Sequence, residues 1–416
     1  MTPTPAHSRS TAPAWSPWRT VVAFGLVSLA ADMVYEGMRA VAGPFLGSLG
    51  ASALTVGLVT GAGEAAALLL RLASGPWADR RQRHWQLTVA GYALTAVCVP
   101  LLALAPLLGV AGVAVAATLI LLERVGKAVR SPAKSALLAR MAVTTGRGRG
   151  FAVHKALDQV GAFAGPLLLS GVAAVTGVLW PGLALLALPG ALSLLLLGQL
   201  RRRVPSVAQP APEDAVSAPE PRRRSTARRW AALLGGDLPP AFHLLSLAVA
   251  CATAGLMTFG VISFRFVQAG LVPVAAAPLV YAAAMAVEAV AALATGWLFD
   301  RFGGRVLLVV PLVVATVPPL VFAPTLSPVL IGVALWGAAT GIQDSTVKAY
   351  VADLVPSSRR STAYGVFAAV QGIGALTGGV LAGALATRHP ALLASGVAGL
   401  QVVSLLLLLR TLRSGG

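Results

Sequence analysis

Apolar residues in this chain come in long runs separated by short polar connections. Twelve runs occupy 21–45, 54–76, 85–107, 110–138, 151–175, 178–200, 242–268, 277–299, 306–324, 328–352, 361–387 and 391–410. A helix of about 20 apolar residues crosses the hydrocarbon layer of a bilayer. The pattern therefore predicts an all-α membrane protein with twelve transmembrane helices, referred to below as spans 1 to 12. The one long polar interruption, 201–240, divides them six and six. The expected layout is a short tail (1–20), a first six-helix bundle (21–200), a basic linker (201–240), a second bundle (241–410) and a final tail (411–416).

Two short repeats support that division. Residues 75–87 read GPWADRRQRHWQL and residues 296–308 read GWLFDRFGGRVLL. Gly75, Asp79, Arg80 and Leu87 recur, at an offset of 221, as Gly296, Asp300, Arg301 and Leu308. Residues 150–166 run parallel to 363–379 at an offset of 213, matching Gly161 and Gly165 with Gly374 and Gly378. Repeats of this length indicate two related halves, each holding several membrane helices.

Composition agrees: 57% of the residues are hydrophobic and 11% are charged, too little charge to cover a soluble surface of this size. The net charge of +18 raises the question of nucleic acid, but its distribution argues against that. With the N-terminus placed in the cytoplasm, the inner connections carry Arg80, Arg81 and Arg83, then Arg140, Arg147 and Arg149, then Arg301 and Arg305, then Arg359 and Arg360. Among the outer connections only the last has a basic residue, Arg388. This positive-inside asymmetry predicts both termini in the cytoplasm and a multi-pass protein of the inner membrane. The N-terminal residues lack a cleavable signal pattern. The linker opens on Arg201, Arg202 and Arg203, and a second basic stretch, RRRSTARRWAALLGG at 222–236, reads as a charged anchor on the inner leaflet. Cys98 and Cys251 sit inside apolar runs and read as small core residues.

A charge inside a bilayer is costly and needs a partner or a wet cavity. Spans 3, 6, 9 and 11 carry no charged residue and span 12 has only Arg410 at its very end, whereas spans 1, 2, 4, 5, 7, 8 and 10 carry charges within them. Span 1 holds Asp32, Tyr35, Glu36 and Arg39; the spacing puts Asp32, Glu36 and Arg39 on one face, either as a functional site or with Glu36 and Arg39 neutralising each other. Span 2 holds Glu64 and Arg71, with Gly57 and Gly61 as a small-residue pair permitting close helix approach. Span 4 has the densest cluster, Glu123, Arg124, Lys127, Arg130 and Lys134. Span 5 holds His154, Lys155 and Asp158; His154 lies near the inner end and is expected to be solvated. In the second half stand Arg265, Glu288, and the Asp344–Lys348 pair, whose spacing favours mutual neutralisation. Glu288 has no local partner. The candidate proton carriers are thus Asp32, Glu36, Glu64 and Glu288. Candidates to line a substrate cavity are Tyr35, Arg39, Arg124, Lys127, Asp158, Arg265 and Asp344.

These features resemble the major facilitator superfamily over essentially the whole chain. Gly75-x-x-Ala78-Asp79-Arg80-x-x-Arg83 is similar to that family's signature between helices 2 and 3, and 296–305 to its copy between helices 8 and 9. Glu123-Arg124-x-Gly126-Lys127 resembles the family's helix 4 motif, and Gly161-x-x-x-Gly165-Pro166 the helix 5 motif of its proton-coupled drug exporters. The sequence departs from the pattern in two places: Gln82 stands where Gly is usual, and Leu168 and Leu169 follow Pro166 where small residues are expected. The resemblance implies two six-helix bundles rocking about a central site. It also implies an inner gate of Asp79, Arg80, Arg83, Asp300, Arg301 and Arg305.

The expected function is secondary active transport by alternating access: proton-coupled efflux of a small organic compound, with protons, or another coupling ion, and membrane lipids as the other partners. The first alternative is import of an anionic metabolite, given the cations of spans 4 and 5. A different class, a non-transporting membrane sensor or assembly partner, lacks the long output segment it would need. No metal-ligand spacing, phosphate loop or nucleophile–base pair is apparent, so neither an enzyme nor a cofactor is expected.

Overall fold

The computed structural model describes residues 15–81, 83–142, 147–203, 236–356 and 359–414. Most of the expected linker (204–235), the start of the N-terminal tail (1–14), Gln82, and the side chains of Asp79, Arg80, Arg81, Arg140 and Arg147 lie outside the described residues.

Among the described residues the regular structure is entirely helical. Ten stretches are long and apolar enough to cross a membrane. Two of them, 84–139 and 277–321, contain 56 and 45 residues, more than twice the roughly 20 residues one crossing needs. Each turns back at a glycine with positive φ, Gly109 at 52° and Gly303 at 59°, a conformation that a Cβ disfavours. The described residues therefore make twelve spans.

Spans 1 and 2 are Pro17–Ser48 and Ala53–Arg81; span 3 is His84–Leu101 continued by the tighter turn Leu102–Ala111; spans 4 and 5 are Gly112–Met141 and Arg147–Thr176. Span 6 joins Trp180–Leu185 to Ala187–Arg203, and span 7 joins Pro240–Leu256 to Phe259–Gln268. Span 8 is Ala277–Phe302; span 9 is Gly303–Leu308 with Val309–Val321; span 10 is Leu326–Ile342, Gln343–Val347 and Lys348–Leu354; spans 11 and 12 are Arg360–Leu385 and Pro390–Ser414. Several of these helices outrun their apolar stretches, because the polar residues beyond each run keep helical bonding in the headgroup zone. Starts follow local chemistry: Ser16 caps span 1 by accepting the Arg19 amide at 3.3 Å. Pro17 and Pro240 occupy first turns, where no amide proton is missed.

The repeat seen in the sequence is a packing repeat. In the first half, span 5 lies on span 1 so closely that a Cβ on Gly161 or Gly165 would stand 2.2 or 2.1 Å from the carbonyl oxygens of Leu29 and Met33. In the second half, a Cβ on Gly374 or Gly378 would stand 2.4 or 2.3 Å from those of Ala250 and Ala254. The glycine pairs are 213 residues apart and their carbonyl partners 221 apart, the two offsets read from the sequence. Spans 3, 6, 9 and 12, whose apolar interiors carry no charge, expose large apolar side chains such as Leu107, Leu195, Leu312 and Val402, as a lipid-facing periphery should.

With an even number of spans, both ends of the chain lie on one face, the terminal face. Toward the opposite face the halves share one core, in which Phe45 and Val56 belong to the same cluster as Ile262 and Ala382. Toward the terminal face the first half has a core of its own around Phe24, Leu137 and Leu200.

Candidate functional site

A cavity of about 1200 Å³ lies between the halves. Its lining runs from Ala42, Thr60 and Gly260 at the deep end to Ser135, Lys348 and Thr362 toward the terminal face, so it opens on that face. The deep end is closed by direct contact between halves. Thr60 and Thr258 share a hydrogen bond of 2.7 Å, and Ser170 donates to the Ala275 carbonyl at 2.7 Å. A Cβ on Gly43 would stand 1.9 Å from the Gly260 carbonyl oxygen, and one on Gly57 2.1 Å from that of Gly379. Only helices without side chains at these points approach so closely.

The first-half wall is cationic. Arg39 lies 3.3 Å and Arg124 3.5 Å from the Glu64 carboxylate, so one anion serves two guanidiniums. Arg39 also reaches Glu36 at 3.7 Å, and Arg124 reaches Glu123 at 3.9 Å. Arg124 donates to the Tyr35 hydroxyl, and the Lys127 ammonium sits 3.3 Å from the centroid of the Tyr35 ring, a cation–π contact. Across the halves, Arg39 donates to the Tyr281 hydroxyl at 3.1 Å and that hydroxyl donates to Glu36. Neither Arg71 nor Lys127 has a carboxylate partner among the described residues, although both line the cavity.

The second-half wall is built differently. Both helices that form most of it are interrupted there. Span 7 breaks at Met257, a non-glycine residue at φ 60°, and span 10 contains a wider turn over Gln343–Val347. Met257 and Gln343 both line the cavity. Backbone irregularity inside a membrane is tolerated where it borders a wet cavity, and single wide turns recur at functional sites. The Gln343 carbonyl accepts from Thr253 at 2.8 Å and from Gln371 at 3.4 Å, which leaves its buried amide nitrogen without a partner. Asp344 and Lys348 pair at 3.4 Å and are both largely exposed in the cavity. Glu288 lines the cavity with no cation within ion-pair distance and no hydrogen-bond donor among the described residues, and its Oε2 is buried.

Among the candidates named from sequence, Tyr35, Arg39, Glu64, Arg124, Lys127, Glu288 and Asp344 line this cavity. Asp32, Glu36, Asp158 and Arg265 do not. Asp32 faces Arg130 at 3.7 Å, and Arg130 donates to Thr95, which donates to Glu123 at 3.0 Å. Asp158 meets Lys134 at 3.6 Å and His154 at 3.8 Å. These groups form a polar network among spans 1, 3, 4 and 5, to one side of the cavity. His154, expected to be solvated, is instead buried, stacked on Phe24 with ring centroids 5.7 Å apart; the glycine-permitted closeness of spans 1 and 5 encloses it. Pro166 lies inside the span 5 helix. The large residue at 169 is accommodated by glycines opposite: a Cβ on Gly182 would stand 2.6 Å from Leu169. Of the expected gate, Arg83, Asp300, Arg301 and Arg305 are exposed toward the terminal face.

The family model of the Major Facilitator Superfamily matches residues 24–328 and 245–415. The chain belongs to that superfamily. An uncharacterized protein of Mycobacterium tuberculosis is 49% identical over 402 residues, 96% of this chain and 94% of the relative. An uncharacterized MFS-type transporter of Methanocaldococcus jannaschii is 25% identical over 400 residues, 94% of each chain. The crystal structure of the nucleoside transporter NupG superposes with a TM-score of 0.70 at 15% identity, covering 94% of this chain and 99% of its own. A POT family transporter in complex with 5-aminolevulinic acid gives 0.70 at 14% identity over 95% of each chain. At these identities the superpositions establish the shared fold. A Major Facilitator fold with a polar cavity between its halves is a secondary transporter rather than an enzyme, a multi-pass membrane protein that moves a small molecule.

The uncharged part of the wall, Thr60, Thr253, Thr258, Trp336, Gln343 and Gln371, is not marked by charge in the sequence. The available signal was polarity in otherwise apolar spans, as in Gln343 and Gln371.

Proposed function

We propose that the protein exports a small organic compound from the cytoplasm across the inner membrane in exchange for protons, with both termini in the cytoplasm. The excess of arginine on the connections of the terminal face supports that orientation. In this reading the cavity loads from the cytoplasm in the state described above. The two halves then rock, parting the Gly43–Gly260 and Gly57–Gly379 contacts and closing the terminal face.

The observation that carries the coupling is Glu288. Asp32, Glu36 and Glu64 each lie within ion-pair distance of a guanidinium, so each already has a partner within the protein. Glu288 has no guanidinium or ammonium within ion-pair distance among the described residues, which leaves it free to pair with what enters the cavity: a proton, or a cationic group of the substrate. Occupancy of one carboxylate by either in turn is sufficient to couple exchange. Asp79 and Arg80 belong to the proposed terminal gate with Arg83, Asp300, Arg301 and Arg305. An anion importer is the second reading, favoured by the unpaired Arg71 and Lys127.

The test uses everted vesicles, whose outer surface is the cytoplasmic face. After respiration acidifies the lumen, adding a transported compound outside should release luminal protons in an exporter. Glu288→Gln should abolish that release while still exchanging labelled for unlabelled compound in the absence of a gradient. Proton release of wild-type size from the variant refutes the role of Glu288; compound-driven alkalinisation of the outer medium instead indicates symport.

A further inference from the structure

We propose that the cavity is built for an amphoteric molecule, one carrying an anionic group and a separate cationic group on an apolar or aromatic frame. The inference rests on the transporter reading for the cavity's role. Charge of opposite sign is left over on the two walls.

On the first-half wall, Glu64 already answers Arg39 and Arg124, which also reach Glu36 and Glu123. Arg71 and Lys127 are the cations left without a carboxylate among the described residues. On the opposite wall, Lys348 is answered by Asp344, and Glu288 is the carboxylate left without a cation. The surplus is thus positive on spans 2 and 4 and negative on span 8. A purely anionic ligand would leave Glu288 unpaired and facing its charge. A purely cationic ligand would meet Arg71 and Lys127. A molecule with both charges, lying across the cavity, answers both walls at once. Ionisable groups inside a membrane are costly and mark the path of what is moved, so an uncompensated pair of opposite sign on facing walls constrains the ligand's polarity.

Two further features define the rest of the ligand. Tyr35, Phe259 and Trp336 line the cavity, with Phe259 and Trp336 rings 5.6 Å apart, giving a surface for an apolar or aromatic frame. The Gln343 amide nitrogen and the Trp336 indole N–H, on residues more than nine-tenths buried, are donors without partners. They add acceptors, such as carbonyl or hydroxyl oxygens, to what the ligand should present.

The experiment measures equilibrium binding, with no gradient, so it can fail while proton-coupled flux succeeds, and the reverse. Full-length protein in detergent is melted with phenylalanine, alanyl-phenylalanine and 6-aminohexanoate, each beside its N-acetylated and its carboxamide form. In at least one series the amphoteric parent should stabilise at a concentration about tenfold lower than either blocked form, the difference expected from one charged contact. Glu288→Gln should bring the parent to the level of its N-acetylated form. Arg71→Gln should bring it to the level of the carboxamide, with Lys127→Gln as the second variant should Arg71→Gln melt as an unfolded protein. Equal stabilisation by a singly charged form, or no stabilisation by any amphoteric parent into the millimolar range, overturns the proposal.

Discussion

Replacing Gly57 by leucine should hold the transporter open on the face opposite the termini. Gly57 lies on span 2 where it crosses span 11 of the other half. A Cβ there would stand 2.1 Å from the Gly379 carbonyl oxygen and 3.0 Å from the Gly383 Cα. Both neighbours are backbone, so no side chain can swing away. Non-bonded carbon contacts settle near 3.5–4.0 Å, so the spans must part by more than about 1 Å before the rest of the leucine is placed. Overpacking of this kind costs about 1–3 kcal/mol. Gly57 packs across the halves at this crossing, so the cost falls on the closed arrangement and spares the packing inside each half. It should move the closed-to-open ratio by about 5- to 150-fold. The assay is alkylation of single cysteines in a background with Cys98 and Cys251 replaced by serine. Ala42→Cys, buried at the deep end of the cavity, should react faster with an impermeant maleimide applied from the non-terminal face. Ser135→Cys, on the lining nearer the terminal face, should react more slowly from its own side. Gly171→Ala, where an added Cβ meets nothing within 4 Å, is the control. Unchanged rates at both reporters, in a G57L protein that melts like the wild type, would refute the assignment of this crossing as a gate.

Three further outcomes follow from the same geometry. Asp32→Asn removes the carboxylate beside the buried Arg130 guanidinium and should lower stability by about 3 kcal/mol, with Arg130→Met in the same chain recovering most of it; a melting temperature that does not move would show the pair to be dispensable. Gly165→Leu and Gly378→Leu should each destabilise their own half by about 1–3 kcal/mol, read as loss of monodisperse protein in detergent, because each glycine touches a carbonyl of the same half. Thr60→Val removes the hydrogen bond to Thr258, worth about 1 kcal/mol, and should speed Ala42→Cys labelling from the non-terminal face several-fold; an unaltered rate would remove this bond from the gate.

The membrane architecture was legible because hydrophobic length is read directly by a bilayer: about 20 apolar residues suffice for a crossing whatever the tertiary contacts. The spans hidden in 84–139 and 277–321 were legible for the same reason, since neither length fits one crossing. Charges pointed to the cavity less completely. Helical spacing put Asp32, Glu36 and Arg39 on one face, but only the packing of spans 1, 3, 4 and 5 decides that Asp32 turns to Arg130 and away from the cavity. The pairing of Glu64 with two arginines from different spans is likewise a tertiary fact. The helix breaks at Met257 and Gln343 fall on non-glycine residues with Gly255, Gly260 and Gly341 close by, so the sequence marks the neighbourhood of each break but not its position.

Those breaks bear on how the two halves divide the task. At the offset of 221 that relates Leu29 and Met33 to Ala250 and Ala254, the positions matching Asp32, Tyr35, Glu36 and Arg39 are Thr253, Leu256, Met257 and Gly260. Every charge of span 1 is absent from its counterpart, and the helix is interrupted where the counterpart of Glu36 stands. The first half thus presents fixed charges on continuous helices, cross-linked through Glu64 and Tyr35, a wall that resists rearrangement because moving any member strands a charge in the membrane. The second half presents amides, hydroxyls and one free carboxylate on interrupted helices, where a local change of backbone costs less because no intact hydrogen-bond ladder has to be broken first. In a transporter that alternates between two faces, the stiff wall is suited to hold the ligand in register and the interrupted wall to register its arrival. On that argument the ligand's anionic end selects and its cationic end, at Glu288, signals. Substitutions at Arg71 or Lys127 should then weaken binding in both states alike, whereas those at Glu288 should change which state the bound protein prefers.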